Sequence, residues 1–556
     1  MKNLQIMMGT SLILRGRQYQ LFYKIKFEER RLEMDKEVYV RKASGLVRNI
    51  SALDAMILNI MVMAPTAIFV YGVWACAIYP GVDLPMTALL AIPLSIIVGL
   101  FYAVYSAAMP RSGGDYVWIS RTLHPSVGFM CNFFLFIVLL SVAGSYVPWF
   151  TQWALAPILE ANGFVEAAAL VSSTEFTFAF AVVFYLICAA IISRGAKASS
   201  AALWTFFILV LVGFVIYVAT MLSVGSSGFA ANFNAQSGMN YNATIEAAKV
   251  AGFPGEFTIT ATLMGLSFTY INFLGFNSTI YVAGEMKDVQ KSQFIAIIGA
   301  VIVFGLISWL GYLATYVGMG SNFVGAISYL AAIGDPAYTL AGAGFSSGPF
   351  FPLLFRYATN TAIFSFYLFT WSMMILGAIL TYIMLSVRFV FAWSFDRVLP
   401  TALSKVDSRY NSPYVALIFV TIVAIILQAA WLWTPLLSYF AYVVFGWMIM
   451  QIIAAISAIA FPHVRKDIFE KAPSIVKAKI GPVRWLDVLA VLSIIIAIWL
   501  GYASISPAMV GTIDPAILAF TFALYLLGLV IYFISSLYHR KKGIPLELSF
   551  KEIPPE

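Results

Sequence analysis

Apolar stretches long enough to cross a bilayer recur between residues 51 and 537 of this 556-residue chain, and no other feature limits its possible folds so strongly. In hydrocarbon every backbone N–H and C=O must find a partner within the protein, so such stretches are read as membrane-spanning helices. The composition agrees. The chain is 62% hydrophobic and 10% charged, whereas a soluble domain is roughly 25% charged. We therefore expect an all-α polytopic membrane protein.

Windows of about 19 residues place twelve spans, at 51 to 79, 84 to 109, 125 to 150, 175 to 193, 199 to 223, 257 to 284, 292 to 318, 358 to 387, 413 to 432, 436 to 461, 485 to 505 and 516 to 537. Alternating the connections puts both termini and the loops near 111, 195, 288, 400 and 470 on one face. Of the 33 Lys and Arg residues, only Lys249 and Arg356 then fall opposite. This asymmetry predicts a multi-pass protein of the cell (plasma) membrane with cytoplasmic N- and C-termini. An odd number of spans would destroy it.

The remaining segments are connections. Residues 1–48 form a basic lead carrying Arg15, Arg17, Lys24, Lys26, Arg30 and Arg31. Its apolar patch, Met7 to Leu14, is too short to span and has no small-residue cleavage site after it, so no signal peptide is expected. Translation from either Met1 or Met34 fits this lead. External loops at 224–256 and 319–357 are expected to form lids or short surface helices, and cytoplasmic segments cover 462–484 and 538–556. Cys76, Cys131 and Cys188 each sit in an apolar run, and His124, His463 and His539 are scattered. Neither a disulfide framework, a metal cluster nor a cofactor is expected. The formal charge of +8 lies along the loops, and no nucleic-acid partner is expected.

Two spans carry interruptions. Between Gly265 and Glu285 the glycines at 265 and 275 weaken a helix, while Asn272, Asn277, Ser278 and Thr279 bring polar side chains to membrane depth. The first span contains Pro65, which removes a helical hydrogen bond and restricts Ala64. The first span begins inside and the sixth outside, so residues 49–223 and 257–461 read as two five-span units of opposite topology. Matching interruptions in inverted halves point to a transporter's binding site. A packing kink is the alternative. Asp54 fits a helix start capped by Ser51, or a group that titrates during transport. Glu285 fits either a coupling role or simple pairing with Lys287 or Lys291.

The stretch Met109-Pro110-Arg111-Ser112-Gly113-Gly114-Asp115-Tyr116, continuing through Arg121 to His124-Pro125, resembles an element of the amino acid–polyamine–organocation (APC) family. Phe273-Leu274-Gly275-Phe276 with Ala283-Gly284-Glu285-Met286-Lys287 resembles that family's sixth span. Phe395-Asp396-Arg397-Val398-Leu399-Pro400 resembles its loop between spans eight and nine. The resemblance implies two inverted five-helix repeats plus two C-terminal helices, working by alternating access. It implies a substrate site built of Ala64, Pro65, Thr66, Ala67, Ile271, Asn272, Phe273, Leu274, Gly275 and Asn277, in which the substrate carboxylate meets backbone amides at Thr66 and Ala67 and the α-ammonium meets carbonyls around Ile271 to Leu274, with backbone also offered near Val62 to Ala64. Pro-Thr-Ala stands where that family usually has glycines. Asn277 stands where many members place an acid, and Ile271 where some place an aromatic gate, so Phe268 or Tyr270 is expected to fill that role.

No Lys, Arg, Asp or Glu falls in the middle third of a predicted span, so a cationic substrate would enter a low-dielectric site without a fixed counter-charge. Neutral amino acids are the expected substrates of this symporter or antiporter, with a cationic amino acid or polyamine exchanger as the alternative. Proton coupling through Asp54 or Glu285, sodium binding through Ser365, Thr370 and Ser372, and ion-free exchange all fit the residues. A channel would need a continuous polar pore, and an intramembrane enzyme a catalytic cluster at membrane depth; neither pattern occurs. A transporter-like sensor is a further class.

Overall fold

A computed structural model of the chain describes residues 47–435, 443–506, 513–543 and 546–550. Most of the basic lead, the alternative start at Met34 and the beginning of the tenth expected span lie outside the described residues. The protein is built of helices: eleven among the described residues are long and apolar enough to cross a membrane.

The expected first span is not one of those eleven, because it is divided. Helix α1 (Ala52–Val62) and helix α2 (Ile68–Ile78) have 11 residues each, about 16 Å apiece at 1.5 Å per residue, so neither crosses alone. Then follow α3 (Leu84–Ala108), the short α4 (Asp115–Thr122), α5 (Pro125–Phe150), α6 (Thr174–Ser193) and α7 (Ala196–Gln236). The second interrupted segment is α8 (Ile259–Phe273), followed by a 3-10 turn over Ser278–Glu285. Next come α9 (Val289–Met319), α10 (Ser321–Ile333), α11 (Thr361–Phe395), α12 (Tyr414–Trp433), α13 (Val443–Val464), α14 (Trp485–Ile505) and α15 (Pro515–Lys541).

Polar residues at the helix starts explain several boundaries. Ser51, Asp83, Ser173, Asn360 and Asp514 each accept a backbone N–H from the first turn, satisfying a donor that has no intrahelical partner. Within α7 the backbone is kinked at Gly225 (φ 62°, ψ 172°), two residues past the expected span end at 223, and a further helical segment then reaches Gln236. Helix α11 runs past the sequence expectation, beyond 387 to Phe395. Window hydropathy misses that end because the added turns carry Arg388, which is buried in an ion pair. The connections 224–256 and 319–357 contain helix Tyr241–Val250 and α10.

The interrupted segments lie inside the bundle. Helix α1 packs on α9, α7 and α11, while α9 packs on α3 and α7. In α11, 94% of the most apolar window is buried, against 22% in α15. The first is therefore a central strut, and the second presents its apolar surface outward, where lipid would cover it.

Candidate functional site

The two interruptions meet. Beyond Val62 the backbone leaves the helix, with Ala64 at φ 50° and Thr66 at φ 82°. These are left-handed values that cost a β-branched residue such as threonine about 1 to 3 kcal/mol. On the other segment Leu274 is extended and Gly275 lies at φ 107°. A Cβ on Gly275 would overlap the Val62 side chain, so only glycine lets the two backbones come this close.

Neighbouring helices hold the first break open by satisfying its carbonyls. Tyr382 Oη on α11 donates to Val62 O at 2.9 Å, Trp371 Nε1 to Thr66 O at 3.3 Å, and Tyr312 Oη on α9 to Ile68 O at 3.1 Å. Ala67 N–H donates back to Ala64 O at 3.0 Å. No acceptor among the described residues takes Thr66 N–H, and Thr66 Oγ1 is buried without a partner. Ile68 N–H likewise has no acceptor among the described residues, so the free donors of the break lie on Thr66 and Ile68.

A polar clamp holds the second break. Asn59 on α1 accepts Thr279 N–H at 2.9 Å through Oδ1 and donates through Nδ2 to Thr279 Oγ1 at 3.2 Å and Ala296 O at 3.1 Å. Gln293 on α9 accepts from Thr279 Oγ1 at 2.8 Å and donates to Thr279 O at 3.0 Å. Asn59, Thr279 and Gln293 are all fully buried. A buried network of this kind is stable only when its members are satisfied. It fixes the 3-10 turn against α1 and α9.

Between the breaks lies a cavity of about 70 Å³, lined by Val62, Met63, Ile271, Asn272 and Leu274 from the interrupted segments and by Tyr71, Tyr146, Tyr382 and Trp447. Asn272 Nδ2 donates to Phe268 O at 3.0 Å, leaving its oxygen without a protein partner at the cavity wall. The cavity shares Tyr71, Val142, Tyr146 and Val443 with a vestibule of about 580 Å³, which continues past Trp74, Trp149, Gln152 and Trp153. The smaller space alone holds about two waters at ~30 Å³ each. A small organic solute needs the two together, or movement of the aromatic wall between them. Among the described residues, no Asp, Glu, Lys or Arg lines either space.

Ion pairs seal the opposite end. Arg388 holds Glu285 through two bonds of 2.8 and 3.0 Å, and Arg121 holds Asp396 through two of 2.7 Å; all four side chains are buried. Ile50 bridges to Met286, with Ile50 N–H donating to Glu285 O at 2.9 Å and Lys287 N–H to Ile50 O at 3.0 Å. The glycine pair of the family-like element lies here. Gly113 and Gly114 have φ 103° and 50°, and a Cβ on Gly114 would lie 2.5 Å from Ile280 Cγ1.

These positions sort the sequence expectations. Ile271, Asn272 and Leu274 line the cavity. Ala64, Pro65, Thr66, Ala67, Phe273 and Gly275 belong to the interruptions without lining it. Asn277 begins the 3-10 turn, buried. Phe268 packs edge-on to Tyr79 and Tyr270 against Phe273; the cavity's aromatic wall is instead Tyr71, Tyr146, Tyr382 and Trp447. Asp54 forms a capping box with Ser51 and accepts Trp204 Nε1 at 2.9 Å. Glu285 pairs with Arg388 rather than with Lys287 or Lys291, because α11 runs long enough to bring the guanidinium beneath the sixth segment. Ser365 accepts from Asn162, while Thr370 and Ser372 donate to carbonyls of their own helix, as hydroxyls in spans commonly do. Asn59, Gln293, Trp371 and Tyr382 carry no sequence signal, since their partners lie far away in the chain.

A family model described as amino acid permease matches residues 50–542. A branched-chain amino acid permease of Lactococcus lactis subsp. cremoris is 24% identical over 396 residues, 68% of this chain and 74% of that one. A glutamate/serine transporter of Bacillus subtilis is 24% identical over 363 residues, covering 64% and 61% of the two chains. A methylthioribose transporter of the same organism is 23% identical over 386 residues, covering 67% and 73%.

Proposed function

Since the chain belongs to the amino acid permease family, we propose that it is a secondary active transporter carrying neutral amino acids across the cytoplasmic membrane by alternating access. The observation that carries this reading is a cavity between two interrupted helices with no charged side chain in its wall among the described residues. In this reading α1 and α2 form one interrupted span, which with the eleven long helices makes twelve, and residues 49–223 and 257–461 are inverted five-helix repeats. The basic face is cytoplasmic.

The chemistry follows from the breaks. The substrate carboxylate accepts from the free Thr66 N–H at the positive end of α2 once movement at the break brings that donor to the cavity wall, and the α-ammonium meets carbonyls around Ile271 to Leu274. Its side chain lies against Val62, Ile271, Tyr146 and Trp447. A lysine, arginine or polyamine would bring a charge that nothing in this wall offsets, at a cost of several kcal/mol. The named substrates of two relatives are branched-chain amino acids for one and glutamate and serine for the other, so both include neutral amino acids and one also an acidic one.

Purified protein in proteoliposomes, offered labelled leucine, serine, glutamate, lysine and putrescine, tests this reading. Saturable uptake of leucine or serine, competed by unlabelled substrate, is the expected result. Uptake confined to lysine or putrescine would establish the cationic exchanger instead, and no uptake or exchange of any of the five would refute transport of this class. Repeating the assay under a sodium gradient and then a proton gradient identifies the coupling.

A further inference from the structure

Three acids are buried at the sealed end, and they are not alike. Asp396 and Glu285 are each held by two bonds from an arginine, whereas Asp115 accepts one side-chain bond, from Tyr281 Oη to Oδ2 at 3.0 Å, with only the backbone amides of Asp115 and Tyr116 beside it. Asp115 is 1% exposed, and its Oδ1 has no partner. The titratable groups nearest it are Tyr281 on the 3-10 turn, Tyr102 on α3, Cys131 on α5 and Tyr525 on α15. None of them is a base. On its own helix, Tyr116 follows it and Arg121 is committed to Asp396. A carboxylate here has one side-chain donor and two backbone amides but no counter-charge among the described residues; its burial outweighs those donors and favours the protonated acid.

The position of Asp115 gives this chemistry a consequence. Tyr281 belongs to the segment after the sixth-span break. Gly113 N–H also donates to Tyr281 O at 3.3 Å, so the start of α4 is fastened to the turn that must separate from it before the cavity can open at this end.

We propose that Asp115 is a proton-binding latch of the cytoplasmic gate: the protonated acid favours the closed arrangement, and the ionised carboxylate favours an open one in which water reaches it. The proposal rests on the alternating-access reading above. The proton comes from cytoplasmic water and returns to it, and no other bond changes. Burial pushes the Asp115 carboxyl up to about 7, whereas a hydrated aspartate lies near ~4. Between those limits each unit of acidification should multiply the closed-to-open ratio about tenfold, so an acidified cytoplasm should slow turnover.

Spin labels at Leu123 and Lys287, exposed positions on either side of the latch, report its opening for the full chain in lipid nanodiscs. The expected result is a longer-distance population that grows as pH rises from about 5 to about 8. In Asp115→Asn the short distance should persist at every pH. Tyr281→Phe removes the donor that stabilises the carboxylate in the closed state, and should enlarge the longer-distance population at about pH 8 relative to the unsubstituted protein; it also keeps the test usable should Asp115→Asn fold poorly. A distance distribution independent of pH in the unsubstituted protein, or the same pH response in Asp115→Asn, would overturn the proposal. The measurement needs no substrate, so its outcome separates from failure of the uptake assay.

Discussion

Val62 and Gly275 touch across the two interrupted helices, and a Cβ on Gly275 would occupy the space of the Val62 side chain. The contact joins the end of α1 to the turn after α8 at the cavity wall. It makes Gly275 doubly constrained, by its φ of 107° and by that neighbour. Gly275→Ala should therefore reduce uptake at least tenfold while membrane insertion persists. Uptake per folded molecule, with folded protein counted by size-exclusion chromatography, is the measurement; unchanged uptake would mean that the contact is only packing.

Thr66 offers the opposite case, a residue the backbone would exchange for glycine. Thr66→Gly relieves a left-handed conformation worth about 1 to 3 kcal/mol and a buried hydroxyl without a partner worth about 1 to 3 kcal/mol, against about 0.5 to 1 kcal/mol of backbone entropy and a buried methine and methyl at ~0.8 kcal/mol each. The balance predicts a higher Tm in thermal unfolding of the detergent-solubilised protein. A lower Tm would show that the threonine side chain has a packing partner outweighing the strain.

Asn59 and Thr279 should couple strongly. Asn59→Ala strands the Thr279 N–H in the interior, a loss of about 1 to 3 kcal/mol, and Thr279→Val removes the hydroxyl shared by Asn59 and Gln293. Unfolding free energies for both single variants and the double variant should give a coupling of at least ~0.5 kcal/mol; additive effects would mean that the two residues act independently.

The Arg388–Glu285 pair is destabilising to break and tolerable to replace. Arg388→Ala leaves a buried carboxylate without its partner, at about 3 to 5 kcal/mol, whereas Arg388→Met with Glu285→Leu removes both charges and should recover most of that loss. Thermal unfolding of the two forms distinguishes them. Equal destabilisation would indicate that the charges, rather than their pairing, hold this end.

The buried acid at 115 gives stability a direction with pH. Its carboxyl is pushed up to about 7 in the folded protein from ~4 unfolded, so its favourable contribution is complete below about pH 4 and is lost as pH rises through about 7. Asp115→Asn should therefore be more stable than the unsubstituted protein at pH 8, with the difference shrinking as pH falls towards 4. Melting curves across that range check the sign.

The amino-acid sequence by itself determined the helical, membrane-spanning class, the positions of nearly all the long helices and the existence of both interruptions. Hydropathy, proline and glycine act locally, over about one span, so their effects are written where they occur. The Ser51–Asp54 cap was legible for the same reason. Tertiary structure alone decided which atoms meet across those breaks. The Asn59–Thr279–Gln293 clamp, the Tyr382 and Trp371 bonds to the first break, the Arg388 partner of Glu285 and the isolation of Asp115 each join segments tens to hundreds of residues apart. A polar residue in a span announces that it needs a partner, but its identity depends on how the helices pack.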